Sequence, residues 1–187
     1  MNFAIVGATG NVGRKTIEIL EKSKLKISNL FLVASTRSVG KKISFKRKKI
    51  EIEALKNYDF SKASITFFAA GSAIAKKWAP IAAKQTIVID NSKHFRMDKN
   101  ISLVVPEVNE NVLKNYKKTN IIANPNCSTA QLVVALKPLH NKFKIKRIIV
   151  STYQAVSGAG KVSTDELFSQ TKDLLNGKKV KSKNFTK

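Results

Sequence analysis

Phe3-Ala4-Ile5-Val6-Gly7-Ala8-Thr9-Gly10-Asn11-Val12-Gly13 opens the chain and decides its fold. The first four residues are an apolar run of the length of a short buried strand. Gly7, Gly10 and Gly13 then stand at positions one, four and seven of a glycine-rich turn. From Val12 to Lys22 the pattern becomes helical, with Val12, Thr16, Ile19 and Leu20 expected on one side. Strand, glycine turn and helix in this order make a variant of the dinucleotide fingerprint. Glycines let backbone approach a pyrophosphate, and the free N–H groups opening the helix face its charge. A plain tight strand–helix turn is the alternative reading.

Outward from this unit the chain keeps alternating. Leu30 to Ala34, Ile65 to Ala69, Ile87 to Ile89 (running into Asp90-Asn91), Leu103 to Val105 and Ile121 to Ala123 read as strands. Ala73 to Gln85 reads as a helix that Pro80 is expected to kink or split. The run Lys41-Lys42-Ile43-Ser44-Phe45-Lys46-Arg47-Lys48-Lys49 reads as a solvated hairpin face. Short strands alternating with helices imply an α/β fold, a Rossmann-type doubly wound parallel sheet. After Cys127 the character changes. A helix is followed by an expected long strand, Ile145 to Tyr153, then Ser157-Gly158-Ala159-Gly160 and a second helix. Ser163-x-x-Glu166 is read as the capping box of that helix, and Gly177 as its stop.

The end of the second strand bears on which dinucleotide is bound. NAD sites place an Asp or Glu there to accept from the ribose 2′-hydroxyl. This chain has Ser35-Thr36-Arg37-Ser38, then Lys41 and Lys42. Hydroxyls and a guanidinium suit a 2′-phosphate, because Arg offers charge and a fork of donors. NADP is therefore the expected cofactor, with Arg37 and Ser38 as main contacts and Ser35 beside them.

Cys127 is the only cysteine, and it lies in Asn124-Pro125-Asn126-Cys127-Ser128-Thr129. The apolar run Ile121-Ile122-Ala123 precedes it and the helical pattern from Gln131 follows. The thiol is thus expected at a helix N-terminus, where unpaired N–H groups and the dipole favour a thiolate. An inert, packed cysteine is the bland alternative. The polar neighbours, the helix start and the nucleotide turn argue for a nucleophile instead. A thiolate attacks an acyl carbon to give a thioester, and a thioester accepts hydride from a nicotinamide. No metal site is expected, with no second Cys and only His94 and His140 elsewhere.

Bulk composition narrows the classes. The chain has 187 residues, 43% hydrophobic and 25% charged, which fits a globular protein with a real core. No apolar run approaches a membrane span. The start shows no basic n-region or long apolar h-region, so no secretory signal and no membrane partner are expected. A lone cysteine excludes an internal disulfide and points to a cytoplasmic location. The net charge of +23 invites a nucleic-acid reading. The positives are mostly Lys and scattered, without the Arg and aromatic interleaving of a specific reader, so nucleic acid is disfavoured.

Taken together these stretches resemble one family, aspartate-β-semialdehyde dehydrogenase. The likeness includes Gly7 to Gly13, Ala34 to Lys41, Val88-Ile89-Asp90-Asn91-Ser92, Phe95-Arg96-Met97, Val104 to Asn109, the Cys127 run, and Thr152-Tyr153-Gln154-Ala155-Val156-Ser157-Gly158-Ala159-Gly160. It runs in order along the whole chain. The resemblance implies NADPH-dependent reduction of L-aspartyl-4-phosphate to aspartate semialdehyde with release of phosphate, on the route to lysine, threonine, methionine and diaminopimelate. It implies Cys127 as the acyl-thioester nucleophile and Gln154 as the group orienting the bound acyl chain. Arg96 and Asn126 become phosphate contacts, although Arg96 also fits a structural ion pair. Thr9, Gly10, Asn11, Val12, Arg37, Ser38, Ser157 and Gly158 become cofactor contacts.

The resemblance further implies an NADP-binding domain over 1–124 and the start of an α+β catalytic and dimerisation domain over 125–187. The partners implied are a small acyl phosphate, inorganic phosphate and a second copy, as a homodimer or homotetramer. Family members continue beyond Asn184-Phe185-Thr186-Lys187 with a His acid/base and a carboxylate-gripping Arg. Neither His here lies in the matching motif, so a truncated chain with negligible turnover is expected. N-acetyl-γ-glutamyl-phosphate reductase shares fold and chemistry and is the nearest rival. A noncatalytic NADP-binding scaffold and a basic nucleic-acid binder are the rivals from other classes.

Overall fold

The structure is a computed structural model that describes residues 1–184; the expected second domain, 125–187, runs three residues past that limit. The chain divides into two compact units, Met1–Ile148 and Ile149–Lys187.

The first unit is built on β1 (Asn2–Val6), α1 (Asn11–Lys22), β2 (Asn29–Ala34), β3 (Lys42–Phe45), β4 (Lys48–Ala54), β5 (Ile65–Phe68), α2 (Ser72–Ala82), β6 (Ile87–Asp90), β7 (Ser102–Leu103), α3 (Pro106–Asn109), β8 (Ile121–Ala123) and α4 (Cys127–Phe143). The strands form one sheet in the order β3-β4-β2-β1-β5-β6-β8-β7. Only β3 and β4 pair antiparallel. All other neighbours run parallel. The order reverses at β1, with β2 on one side and β5 on the other, so a crevice opens outside the carboxyl ends of these strands.

The alternation of side chains along β1 fills two cores. Phe3 and Ile5 join Ile17 and Leu20 of α1, Leu30, Leu32 and Ile52 on one face. Ala4 and Val6 join Ala75, Ala79 and Ala82 of α2, Phe68 and Val88 on the other. Both faces of the sheet are therefore covered, as apolar parallel strands require. Each fully buried Ile, Leu, Val or Phe contributes roughly 1.5–3 kcal/mol, so the sheet edge that carries the loops is a firm base.

Several expectations need correction. The buried face of α1 is Gly13, Ile17 and Leu20. Val12 and Ile19 are 51% and 58% exposed, because the helix turns the next ridge toward β1 and β2. The Lys-rich run is a hairpin as expected, its tip held by Lys46 and Arg47 at φ 45° and 65°. Its second strand goes further than expected: residues Ile52 to Ala54 also pair with β2. α2 runs through Pro80 to Ala82 and stops short of Gln85. A proline so close to a helix end removes one hydrogen bond without splitting the element. β7 ends at Leu103, because Val105 donates its N–H to Asn109 Oδ1 (2.8 Å) as α3 begins.

The second unit contains a 3-10 turn, Val156–Ala159, and α5 (Lys161–Leu175). The expected strand from Ile145 to Tyr153 is absent among the described residues. A strand persists only when paired, and no ladder reaches this segment. Ile149 and Tyr153 are 85% and 98% exposed. The expected capping box is not formed either. The N-cap of α5 is Gly160 and it carries no side-chain cap; Ser163 lies inside the helix and is buried. Glu166 instead accepts from the backbone N–H groups of Lys183 (2.7 Å) and Asn184 (2.9 Å), and these bonds lower its pKa. Gly177 does stop the helix. At φ 69° its N–H donates to Leu174 O (3.0 Å) while Lys178 N–H donates to Asp173 O (2.9 Å), the paired bonds of a Schellman motif.

Candidate functional site

The glycine turn is shaped by what glycine lacks. Gly7 has φ +88°, and a Cβ there would stand 2.6 Å from Ala69 O. A Cβ on Gly13 would stand 2.2 Å from Gly7 O, so α1 rests directly on the turn. At Gly10 the same atom would meet Gly7 O at an ordinary 3.4 Å. Gly10 is the N-cap of α1 and offers no side chain to cap the helix. The first N–H groups of α1 are left for an anion.

Beside this turn lies a cleft of about 340 Å³ lined by Val6, Gly7, Thr9, Gly10, Ala34, Ser35, Leu55, Ala69, Ala70 and Ile74. It sits at the carboxyl ends of β1, β2 and β5, the crevice that the strand order creates. Of the expected cofactor residues it gathers Gly7, Thr9, Gly10 and Ser35. Gly13 sits behind the turn as a packing residue, and Asn11 and Val12 open the helix on its exposed side. Arg37 and Ser38 follow Ser35 in a 3-10 turn whose Ser38 N–H donates to Ser35 O (2.9 Å). Ser38 is buried and Arg37 exposed. No acidic side chain lines the cleft. The uncapped helix, the glycine cradle and the absence of acid fit the phosphates of a dinucleotide.

The thiol turn stands three strands away along the same edge, at the end of β8, roughly 14 Å from β1 at ordinary strand spacing. Cys127 is the first residue of α4 and is exposed. Asn126 is the N-cap: its Oδ1 accepts from Ser128 N–H at 2.9 Å and lies 3.9 Å from Cys127 Sγ. Arg96, half-buried, donates from Nε to Asn124 O (2.9 Å) and from Nη2 to Asn91 O (3.0 Å). Among the described residues two of its five N–H donors are thereby used and three remain. Asn124 Nδ2 donates to Asn91 Oδ1 at 2.6 Å, and Asn124 N–H to Asp90 O at 2.8 Å. Asp90 is fully buried and accepts from Ser92 Oγ (2.6 Å) and Ser92 N–H (3.1 Å). Burial raises its pKa, and the Ser92 bonds and the charge of Arg96 only partly offset that.

In the second unit Gln154, Ser157 and Gly158 are exposed. The Gln154 amide lies against the open face of Gly158, where a Cβ would fall on Nε2. Asp90, Ser92 and the cleft residues Leu55, Ala69, Ala70 and Ile74 had no site role at the level of sequence, and neither had Asn91 and Asn124. For these two asparagines the signal was position: each directly follows a parallel strand at its carboxyl end, where such folds build their sites.

Comparison with known proteins agrees with this geometry. A family model described as semialdehyde dehydrogenase, NAD binding domain, matches residues 2–116, and one described as semialdehyde dehydrogenase, dimerisation domain, matches 136–187. Aspartate-semialdehyde dehydrogenase 2 of Vibrio cholerae is 48% identical over 186 residues, 99% of this chain and 55% of the relative. A crystal structure of aspartate semialdehyde dehydrogenase II from the same organism, complexed with ASA, superimposes with a TM-score of 0.94 at 48% identity, covering all of this chain and 56% of that one. The Candida albicans enzyme, solved with NADP, gives a TM-score of 0.61 at 32% identity over 76% of this chain and 47% of that one. The chain spans about half the length of the curated relatives it matches. With the glycine cleft, the capped thiol and both family models in agreement, this chain belongs to the semialdehyde dehydrogenase family.

Proposed function

We propose that the protein carries the cofactor and thiol machinery for NADPH-dependent reductive dephosphorylation of L-aspartyl-4-phosphate to L-aspartate 4-semialdehyde, a step of lysine, threonine and methionine biosynthesis. The observation that carries the reading is the placement of Cys127 at the start of a capped helix on the sheet edge that also bears the glycine cleft. Residues 1–124 serve cofactor binding and 125–187 the catalytic and dimerisation part. NADP is the cofactor: Ser35, Arg37 and Ser38 replace the acid that an NAD site uses, and the Candida albicans relative was solved with NADP. Bound NADPH supplies the hydride that reduces the thioester.

The chain's own residues do the rest. Cys127 Sγ attacks the acyl carbon, and the bond to the phosphate oxygen breaks. The three N–H donors of Arg96 and the Asn126 Nδ2 that bond no other group among the described residues receive the departing phosphate. Gln154 holds the acyl chain in register without titrating. When the reduced adduct collapses, the Cys127 sulfur leaves as thiolate and the aldehyde is free. The family's dimerisation model over 136–187 supports a homodimer or homotetramer. A cytoplasmic location accords with the unpaired, exposed Cys127; no helix among the described residues is long and apolar enough to cross a membrane.

The test is mass spectrometry after exposure to acyl phosphates. L-aspartyl-4-phosphate is expected to leave an acyl group on Cys127, and Cys127→Ser to abolish it. Acylation by N-acetyl-γ-glutamyl phosphate alone would move the assignment to the rival reductase. No acylation by either, with NADPH still bound, would leave a noncatalytic NADP-binding protein.

A further inference from the structure

We infer that Asn91 and Asn124 are positioning residues for the Cys127 nucleophile, joined as one device through Arg96. The inference rests on the reading of Cys127 as the attacking group. Asn91 follows β6 and Asn124 follows β8. Their side-chain amides meet at 2.6 Å, and Arg96 donates to the backbone carbonyl of each, at 3.0 and 2.9 Å. Asn91 N–H in turn donates to Phe68 O (3.0 Å), and Asn124 N–H to Asp90 O (2.8 Å). Three strand ends are thereby tied at one point.

That point is the root of the thiol turn. Asn124 precedes Pro125, which holds it to extended backbone. Only Pro125 and Asn126 then separate it from Cys127. With φ of Pro125 set by its ring and Asn126 spent on capping, the direction in which Cys127 leaves the sheet depends on the peptide of Asn124. The amide pair and the guanidinium hold that peptide from both sides. Bonds from a charged donor are the stronger kind, and a misplacement of one ångström at a nucleophile is costly. Arg96 thus does two jobs: it fixes the turn with two donors and keeps three for an anion.

The experiment measures the pH–rate profile of Cys127 alkylation by iodoacetamide, with NADPH affinity and circular dichroism in parallel. The proteins are the parent, Asn91→Ala, Asn124→Ala and the double variant. Asn124→Ser, which removes the amide but keeps a small polar group before Pro125, replaces an alanine variant that does not fold. The expected result is a displaced profile in each folded variant, with the rate at neutral pH down about five-fold. The double variant should be no slower than either single one, and NADPH affinity should stay within about two-fold. Folded variants whose profiles overlay the parent's would overturn the positioning role while leaving the nucleophile intact. A parental thiol no faster than free cysteine would instead overturn the nucleophile reading itself, and this inference with it.

Discussion

Two strand-to-helix turns lie on one sheet edge, and they are held by opposite means. The Gly7–Gly13 turn is fixed by the absence of side chains. Carbonyls and Cα atoms press together at distances no Cβ tolerates, and the following helix is left uncapped. The Asn124–Cys127 turn is fixed by side chains. Arg96 and Asn91 grip its root, and Asn126 caps the helix. The difference fits the tasks proposed for the two turns. A turn that receives a phosphate keeps its N–H groups free and its surface bare. A turn that presents one atom must instead satisfy its own polar groups and hold a single direction.

The contrast breaks most sharply at Gly13. Gly13→Ala drives a Cβ into Gly7 O and should cost about 3 kcal/mol or abolish folding. Gly10→Ala meets only an ordinary contact and should cost about 1 kcal/mol or less as an N-cap change. Thermal unfolding of the two variants checks this order. Equal losses would show that the turn is held by something other than close backbone packing.

Arg37→Ala tests the cofactor side. A lost charge-assisted contact is worth about 1.5–3 kcal/mol, so the dissociation constant for NADPH should rise roughly 10- to 100-fold. That for NADH should hardly move. Fluorescence titration with both cofactors measures the pair, and equal weakening removes Arg37 from the 2′-phosphate.

The side-chain turn yields smaller effects. Asn126→Ala removes the cap and should lower stability by about 1 kcal/mol, while Asn126→Asp, which keeps the acceptor, should restore most of it. Urea unfolding distinguishes them. The smallest change concerns Asp90. Burial raises its pKa above the ordinary 3.8, so the native state holds the proton more readily than the unfolded chain. Its contribution to stability is full below that ordinary value and falls as pH rises through the native one. Asp90→Asn should therefore lack this decline. If the parent instead gains on the variant with rising pH, attraction to Arg96 outweighs burial.

How much of this was legible in the sequence depended on how local the cause was. The strand–turn–helix at the N-terminus, the hairpin of Lys42 to Ala54 up to its middle, the thiol at the start of α4 and the Gly177 stop were all readable. Each is set by periodicity or by a residue that admits few backbones. Ile145 to Tyr153 has every local mark of a strand and lies in no ladder. Ser163-x-x-Glu166 has the spacing of a capping box, yet Glu166 bonds Lys183 and Asn184 instead. Both depend on partners far along the chain, which spacing does not reveal.

The sequence by itself determined the parallel strands up to Ala123, the glycine turn, the thiol and the family, because these rest on covalent geometry and short-range pattern. Only the tertiary structure decided that Asn91 and Asn124 share one hydrogen bond, that Arg96 spends two donors on their carbonyls, and that Gly13 supports Gly7. The contacts of Asn124 with Asn91 and with Arg96 join residues 33 and 28 positions apart. They exist because parallel strands bring their carboxyl ends together at one edge, a proximity set by the packing of the whole sheet.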